Sequence, residues 1–217
     1  MKAAVRLALA GALVAAVTAS ASAQEPVPAV GPFVVDLHGI FTNLPDSQQL
    51  ADSRGLVLSE LPGSAFGGAV GLHLYVLKWK QLTIGIGGEV VGFRAHNVPP
   101  SNAATASELR PVTEKFLSAS PQLSFNFGGR NGWSYISAGI GLSQWSIVPD
   151  GAQPQGADVE RLRADNYGGG GRWFMKKHLA FSFDVRLYSI RAGTPALGLA
   201  GSPRSTLTVI GAGVSVK

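Results

Sequence analysis

Four histidines, a handful of buried-looking charges and a run of four glycines are the residues of this chain whose types could do chemistry. The glycines stand in NYGGGGRWFMKK (166–177), directly before Arg172 and a Lys176–Lys177 pair. A phosphate cradle needs a strand, a glycine loop and a helix N-terminus carrying a placed Lys and a Ser or Thr. The sequel here, HLAFSFDVRLYSI (178–190), alternates with period two and predicts strand, tight turn, strand. Gly168–Gly171 are therefore expected to be bare wall, where crowding or strand bending leaves no room for a side chain.

The histidines are His38, His73, His96 and His178. Nucleophilic catalysis needs a base within hydrogen-bond reach of the nucleophile. None of the four stands at a recognisable spacing from a Ser and an acid, and no zinc-binding His pair occurs. Cysteine is absent, which removes disulfides, thiolate chemistry and Cys-based zinc sites. His96, at the end of a strand, is the best-placed base, and a solvated loop histidine is the simpler reading. No enzymatic activity, metal or cofactor is expected. The remaining candidates are Asp36, Glu89, Arg172, Asp184 and Arg186, with His38 and His73. All of them fall on the polar side of an alternating pattern.

That pattern runs through the chain. In FVVDLHGIF (33–41), Phe33, Val35, Leu37 and Phe41 oppose Asp36 and His38. Strands follow over 65–77, 81–95, 112–127, 133–145, 159–174, 178–190 and 204–216, making eight. The last changes phase near Val209–Ile210, which a bulge would explain, and Pro121 weakens the ladder of its own strand. The connections alternate strictly. Residues 42–63, 96–111, 147–158 and 193–203 are long and loop-like, whereas 78–80, 128–132 and 175–177 are tight turns. An even-stranded up-and-down barrel in an outer membrane has this order, with short periplasmic turns and long outer loops.

Composition agrees. Hydrophobic residues reach 46% and charged residues only 14%, well under the ~25% of soluble domains. A basic start, an apolar run too short to span a membrane and ASA at 21–23 mark residues 1–23 as a cleaved signal peptide. A short N-terminal segment, 24–32, precedes the barrel domain, 33–217. Removing Lys2 and Arg6 leaves 16 basic residues against 13 acids, a mature charge of about +3, which calls for no nucleic-acid partner.

A water-soluble barrel of the lipocalin kind is the rival architecture. A water-facing exterior would carry many Lys and Glu. The polar face here is mostly Gly, Ala, Ser and Thr, which suits the crowded lumen of an eight-strand barrel. The branched and aromatic residues then face lipid. Aromatic girdles are expected at both interfaces. Trp79, Phe127, Trp133, Trp173 and Phe174 lie near the short turns. Phe41, Phe66, Phe93, Phe116 and Trp145 lie near the other strand ends, and Phe125, Phe181 and Phe183 lie on the lipid face between.

Signal peptide, eight alternating strands, loop order and glycine-rich strands such as YISAGIGLSQW and NYGGGGRWF together resemble the eight-stranded outer-membrane β-barrels of the OmpA/OmpX type. The resemblance covers 33–217. It implies an all-β, antiparallel, up-and-down transmembrane barrel in the cell outer membrane of a Gram-negative envelope. It also implies a monomer, with outer-membrane lipid and the barrel-assembly machinery as partners and a surface ligand left open. No peptidoglycan-binding domain is expected after the barrel. Such barrels usually end in an aromatic residue read by the assembly machinery, whereas this sequence ends GVSVK.

The inward charges should pair across the lumen, because an unpaired buried charge is costly. Glu89 with Arg186, joined by Asp184, is the expected core of that network. The turn charges Lys78, Lys80, Arg130, Lys176 and Lys177 predict a basic periplasmic rim. Asp46, Asp52, Glu60, Glu108, Asp150 and Asp158, against Arg54 and Arg110, predict an acidic outer rim. The expected role is non-enzymatic: a filled polar lumen with four surface loops serving envelope structure or surface contact. A narrow channel or carrier of small or apolar molecules is the first alternative, and a lipid-modifying enzyme the second.

Overall fold

The computed structural model describes residues 30–99, 109–129, 131–156 and 158–217. The expected signal peptide, most of the 24–32 segment, Glu108 and Arg130 lie outside the described residues.

Each period-two run pairs with the next. The strands are β1 (Phe33–Asn43), β2 (Ser64–Trp79), β3 (Leu82–Asn97), β4 (Val112–Gly129), β5 (Gly132–Pro149), β6 (Val159–Phe174), β7 (Leu179–Ile190) and β8 (Ser205–Val216). Every neighbour is antiparallel, and the sheet closes on itself in sequence order. The closing seam joins β1 to β8 from Val35–Val216 to Asn43–Thr208. No edge strand is left, which is the condition for crossing hydrocarbon with strands. Among the described residues no helix is long and apolar enough to cross a membrane.

The exterior settles the choice between lipid and water. Leu142 is 76% exposed and Phe66 70%, and Val70, Leu72, Leu74, Val90, Ile136 and Ile140 are exposed with them. A contiguous apolar band of this kind is not left to water by a monomeric soluble barrel.

The strands are longer than the membrane requires. β4 and β5 have 18 residues each, where ~9–11 tilted residues cross the hydrocarbon. The surplus stands above the apolar band at the long-loop end, and there the facing of the two sides inverts. In β8, Leu207 and Val209 are buried inside while Thr206 and Thr208 face out; from Ile210 on, Ile210 and Val214 face out instead. The phase change near Val209–Ile210 is thus not a bulge. β8 keeps an unbroken register with both neighbours, and it is the surroundings that change, from lipid to water. The register shift of the barrel lies instead in β2, between Tyr75 and Leu77. Pro121 pairs with Gly88 on one side, but on the other the ladder is interrupted between Ala119–Leu142 and Gln122–Gly139.

The loop over 42–63 is more ordered than its composition suggests. It holds a short helix, α1 (Gln48–Ser53), whose first turn is capped by Ser47 accepting from the Leu50 amide at 3.3 Å, and a 3-10 turn (Leu58–Glu60). Leu44, Leu50, Ala51, Leu56 and Leu61 pack with Phe93, Phe116, Trp145, Ile147, Leu162, Ile190 and Leu207. The loop folds back as an apolar stopper in the barrel mouth.

The glycine run lies inside β6 as plain strand. A Cβ on Gly170 would collide with the carbonyl oxygen of Phe183, and one on Gly168 with that of Val185, so the backbone of β7 occupies the space a side chain needs. Gly170→Leu is expected to prevent refolding, seen as loss of heat-modifiable gel mobility. Gly68→Ala, whose Cβ would rest 3.5 Å from the His38 carbonyl in ordinary contact, should refold as wild type does.

Candidate functional site

The inward positions of the membrane-crossing part bring every predicted lumen residue into one small volume. Arg172 on β6 reaches Asp36 on β1, a strand that is not its neighbour, with Nε to Oδ1 at 2.8 Å and Nη2 to Oδ2 at 2.6 Å. This forked pair spans the barrel. Ser215 donates a further hydrogen bond to Asp36 Oδ1. The Arg172 guanidinium also lies 3.9 Å from the Tyr135 ring centroid, a cation–π contact in a dry setting.

Arg186 holds the second knot. It donates to Asp184 (3.2 Å), Asn166 (3.1 Å) and Ser137 (2.9 Å), and stands 3.4 Å from Glu89 on the opposite wall. Tyr188 donates to Glu89, and Tyr135 to Asp184 at 2.8 Å. Asn166 is fixed in turn by Gln122 and Ser120. Arg172 and Arg186 are each only 2% exposed.

The sequence paired Glu89 with Arg186 but left Arg172 and Asp36 unmatched, and it missed Tyr135, Tyr188, Asn166, Gln122, Ser182 and Ser215. Strand tilt shears the walls past one another, so partners across the lumen cannot be counted from the turns. Parity alone would have listed the polar residues facing in.

Parity also corrects the girdles. Trp133 and Trp145 do not face lipid; they are 3% and 0% exposed. They share a side of β5 with inward Tyr135 and Ser137. Phe93 and Phe116 also point in, stacked at 4.9 Å. Trp133 packs with Val30 and Val34 at the short-turn mouth, with Tyr75 and Phe174 against it. The Trp145 indole donates to buried Glu114 at 2.7 Å in the long-loop mouth. Phe66, Trp79, Phe127, Trp173, Phe181 and Phe183 are exposed on the outer surface, and Phe41 and Phe125 are half-buried there.

The histidines divide in the same way. His38 Nε2 meets Ser182 Oγ at 2.7 Å, the spacing of a base and a nucleophile, but Ser182 is fully buried and no substrate carbonyl can reach it. His73 is buried in the lumen. His96 is exposed, bonded to Asp150 at 2.8 Å, whose other oxygen accepts from Thr113. The carboxylate therefore separates the base from the hydroxyl. His178 binds the Lys217 carbonyl at the short-turn end.

No family model matches the sequence, and no curated protein does either. Solved structures match through shape. Neisserial surface protein A, NspA, superposes with a TM-score of 0.56 at 13% identity, over 86% of this chain and 97% of its own. Ail, the attachment invasion locus protein of Yersinia pestis, gives 0.50 at 11% identity, over 85% and 96%. The fold is that of the OmpA/OmpX-type outer-membrane barrels.

In an outer-membrane barrel the long loops face outward and the short turns face the periplasm. The outer rim is then not acidic alone, although Asp46 and Asp52 are exposed there. Glu60 is buried, and Asp150 is engaged by His96 and Thr113. The strand walls meanwhile expose Arg94, Lys115, Arg161, Arg163, Arg191 and Arg204. The acids were visible as loop composition; the bases sit on strand ends, where period two was read only for apolar faces. Lys78, Lys80, Lys176 and Lys177 are exposed at the short-turn end.

Glu60 ties the stopper down. Its carboxylate accepts from the Val57 amide at 3.0 Å and from the Arg110 amide at 2.8 Å, and Arg54 adds a link to Glu160 on β6 at 2.5 Å. Burial pushes the Glu60 carboxyl up. The two amides and the Arg110 guanidinium outweigh burial and hold it below the ordinary glutamate value of 4.5. Because the folded value is depressed, this contribution is fully present above that value and is lost as pH falls through the folded one. Amide-exchange protection over 48–61 should drop as pH falls below about 4.5, after correction for intrinsic rates, and Glu60→Gln should flatten that dependence.

The cross-lumen fork makes a separate prediction. Arg172→Ala strands the Asp36 carboxylate and should cost about 3–5 kcal/mol. Denaturant unfolding in micelles would measure this. Asp36→Asn combined with Arg172→Met should recover most of the loss.

Proposed function

We propose that this chain is a sealed outer-membrane barrel that acts through its outer face, as an element of envelope structure or a platform for surface contact, without enzymatic activity. The observation that carries the reading is the set of charge contacts made across the lumen. The Asp36–Arg172 and Glu89–Arg186 contacts bridge opposite walls, and the α1 stopper fills the mouth above them. A barrel of eight strands has an interior that side chains just fill, so two layers of paired charge and an apolar lid leave nothing to conduct through. The Ser182–His38 contact is sealed within the same layers, which argues against a lipid-modifying role for it.

A narrow water path from the periplasmic side is the second reading. One feature favours it: Trp133 Nε1, Arg172 Nη1, Gln122 Oε1 and both ring nitrogens of His73 are buried and make no close hydrogen bond among the described residues, Trp133 standing only loosely against Tyr75 and His73 against Gln122. Buried polar atoms of this kind are commonly satisfied by ordered water. Planar-bilayer recordings separate the two readings. No discrete conductance is expected from wild type or from Arg186→Ala, with the variant losing thermal stability. Stepwise conductance in wild type would overturn the sealed barrel.

A further inference from the structure

The outer wall of β2, β3 and β4 differs from the rest of the lipid-facing band. Register places its outward residues in rows: Phe66, Arg94, Lys115 and Ser146 at the top, then Gly68, Gly92, Leu117 and Gln144, then Val70, Val90, Ala119 and Leu142, then Leu72, Gly88 and Pro121. Side chains are missing at Gly68, Gly92 and Gly88. Two depressions result, each of about 510 Å³. The upper is bounded by Phe66, Leu117, Gln144 and the Arg94–Lys115 pair; the lower by Val70, Leu72, Val90, Ala119 and Pro121. They lie on the same strands one below the other, running from the outer interface toward the middle of the apolar band.

The charge at the top is of one sign. Arg94 and Lys115 face each other across the β3–β4 ladder, and Arg161 follows beyond Gln144 on β6. Among the described residues, none of these three forms an ion pair. Asp150, whose carboxylate feels the charge of Arg94, is taken up by His96 and Thr113. Arg161 lies one row below Lys115 and two strands away, roughly 12 Å at ~4.8 Å between strands and ~3.3 Å per residue along them. A cationic head region of that width sits directly over an apolar trough.

We propose that this wall is a binding site for a phosphorylated membrane lipid. The headgroup phosphates are held by Arg94, Lys115 and Arg161, and an acyl chain lies in the trough left by Gly92 and Gly88. Charge complementarity selects the headgroup: two or three unpaired cations at the interface attract a lipid of net negative charge far more than a zwitterionic one, whose own ammonium offsets its phosphate. The missing side chains let the chain lie against backbone instead of riding over Leu and Val tips, which adds contact area along its length. A second copy of this barrel is the less suitable occupant, since it would bring the same cations to the same row.

The test uses the full-length barrel, refolded in neutral detergent and studied by native mass spectrometry with two probes, diphosphoryl lipid A and phosphatidylcholine. Wild type should retain the phosphorylated lipid and not the zwitterionic one. Arg94→Gln with Lys115→Gln should weaken retention roughly 30-fold, the loss of two basic contacts at a membrane surface. Gly92→Leu should weaken it with the charges intact. Lys176→Gln with Lys177→Gln, at the periplasmic end, should change nothing. Heat-modifiable mobility confirms that each variant has folded; should Gly92→Leu fail there, the exposed double charge variant alone decides. Equal retention by wild type and the Arg94/Lys115 variant, equal retention of both lipids, or a dimer occupying this face in place of lipid would each overturn the proposal.

Discussion

Every backbone amide and carbonyl that crosses hydrocarbon must find its partner inside the protein. In this chain that constraint is met by one seam, β1 against β8, and the other features follow from it. Closing at eight strands fixes a narrow interior. A narrow interior curves the sheet sharply, so that an inward Cβ on Gly168 or Gly170 would fall on the β7 backbone. It also forces charges that face inward to meet charges from the opposite wall. The glycine run and the arginine that follows it are two answers to the same lack of room: one removes the side chain, and the other sends it across the lumen to Asp36.

The strands cross two solvents. In the membrane, apolar side chains belong outside and polar ones inside; above it, the assignment reverses. β8 carries both halves in one continuous ladder, with Val209 inward and Ile210 outward as the changeover. The upper barrel therefore behaves as a small water-soluble sandwich of wall and lid, with α1 and its flanking leucines completing a core that the strands alone could not bury. The lower barrel needs no such core, because lipid covers its apolar side.

Period two carried much of this into the sequence. Strand positions, their number and the long-short order of connections follow from alternation and turn residues alone, because each is a local property. Trp133 and Trp145 were misplaced because girdle expectation outweighed parity, although both share the inward side of β5 with Tyr135. The helix within 42–63 was hidden because its apolar residues are few and are buried by partners far along the chain. The Arg172–Asp36 fork was hidden for a related reason: it depends on the stagger between β1 and β6, which no single strand encodes. The outer cations were passed over because Arg94, Lys115 and Arg161 interrupt an apolar pattern, and they gain meaning only when three ladders set them side by side.

The buried charges raise a question of purpose, since a buried ion pair is weak support for stability once desolvation is counted. A lumen of apolar residues would pack as well, but it would make both faces of each strand alike. A one-residue slip turns every side chain to the other face. With an apolar lumen, such a slip in lipid would cost little. With Asp36, Glu89, Arg172, Asp184 and Arg186 inside, the same slip carries a charge into hydrocarbon at ~2–4 kcal/mol for each arginine near the midplane. The network thus penalises wrong registers more than it stabilises the right one. That asymmetry matters most for β6, where Gly168–Gly171 offer no side-chain packing to fix the pairing, and where Arg172, immediately after the glycines, supplies the missing specification.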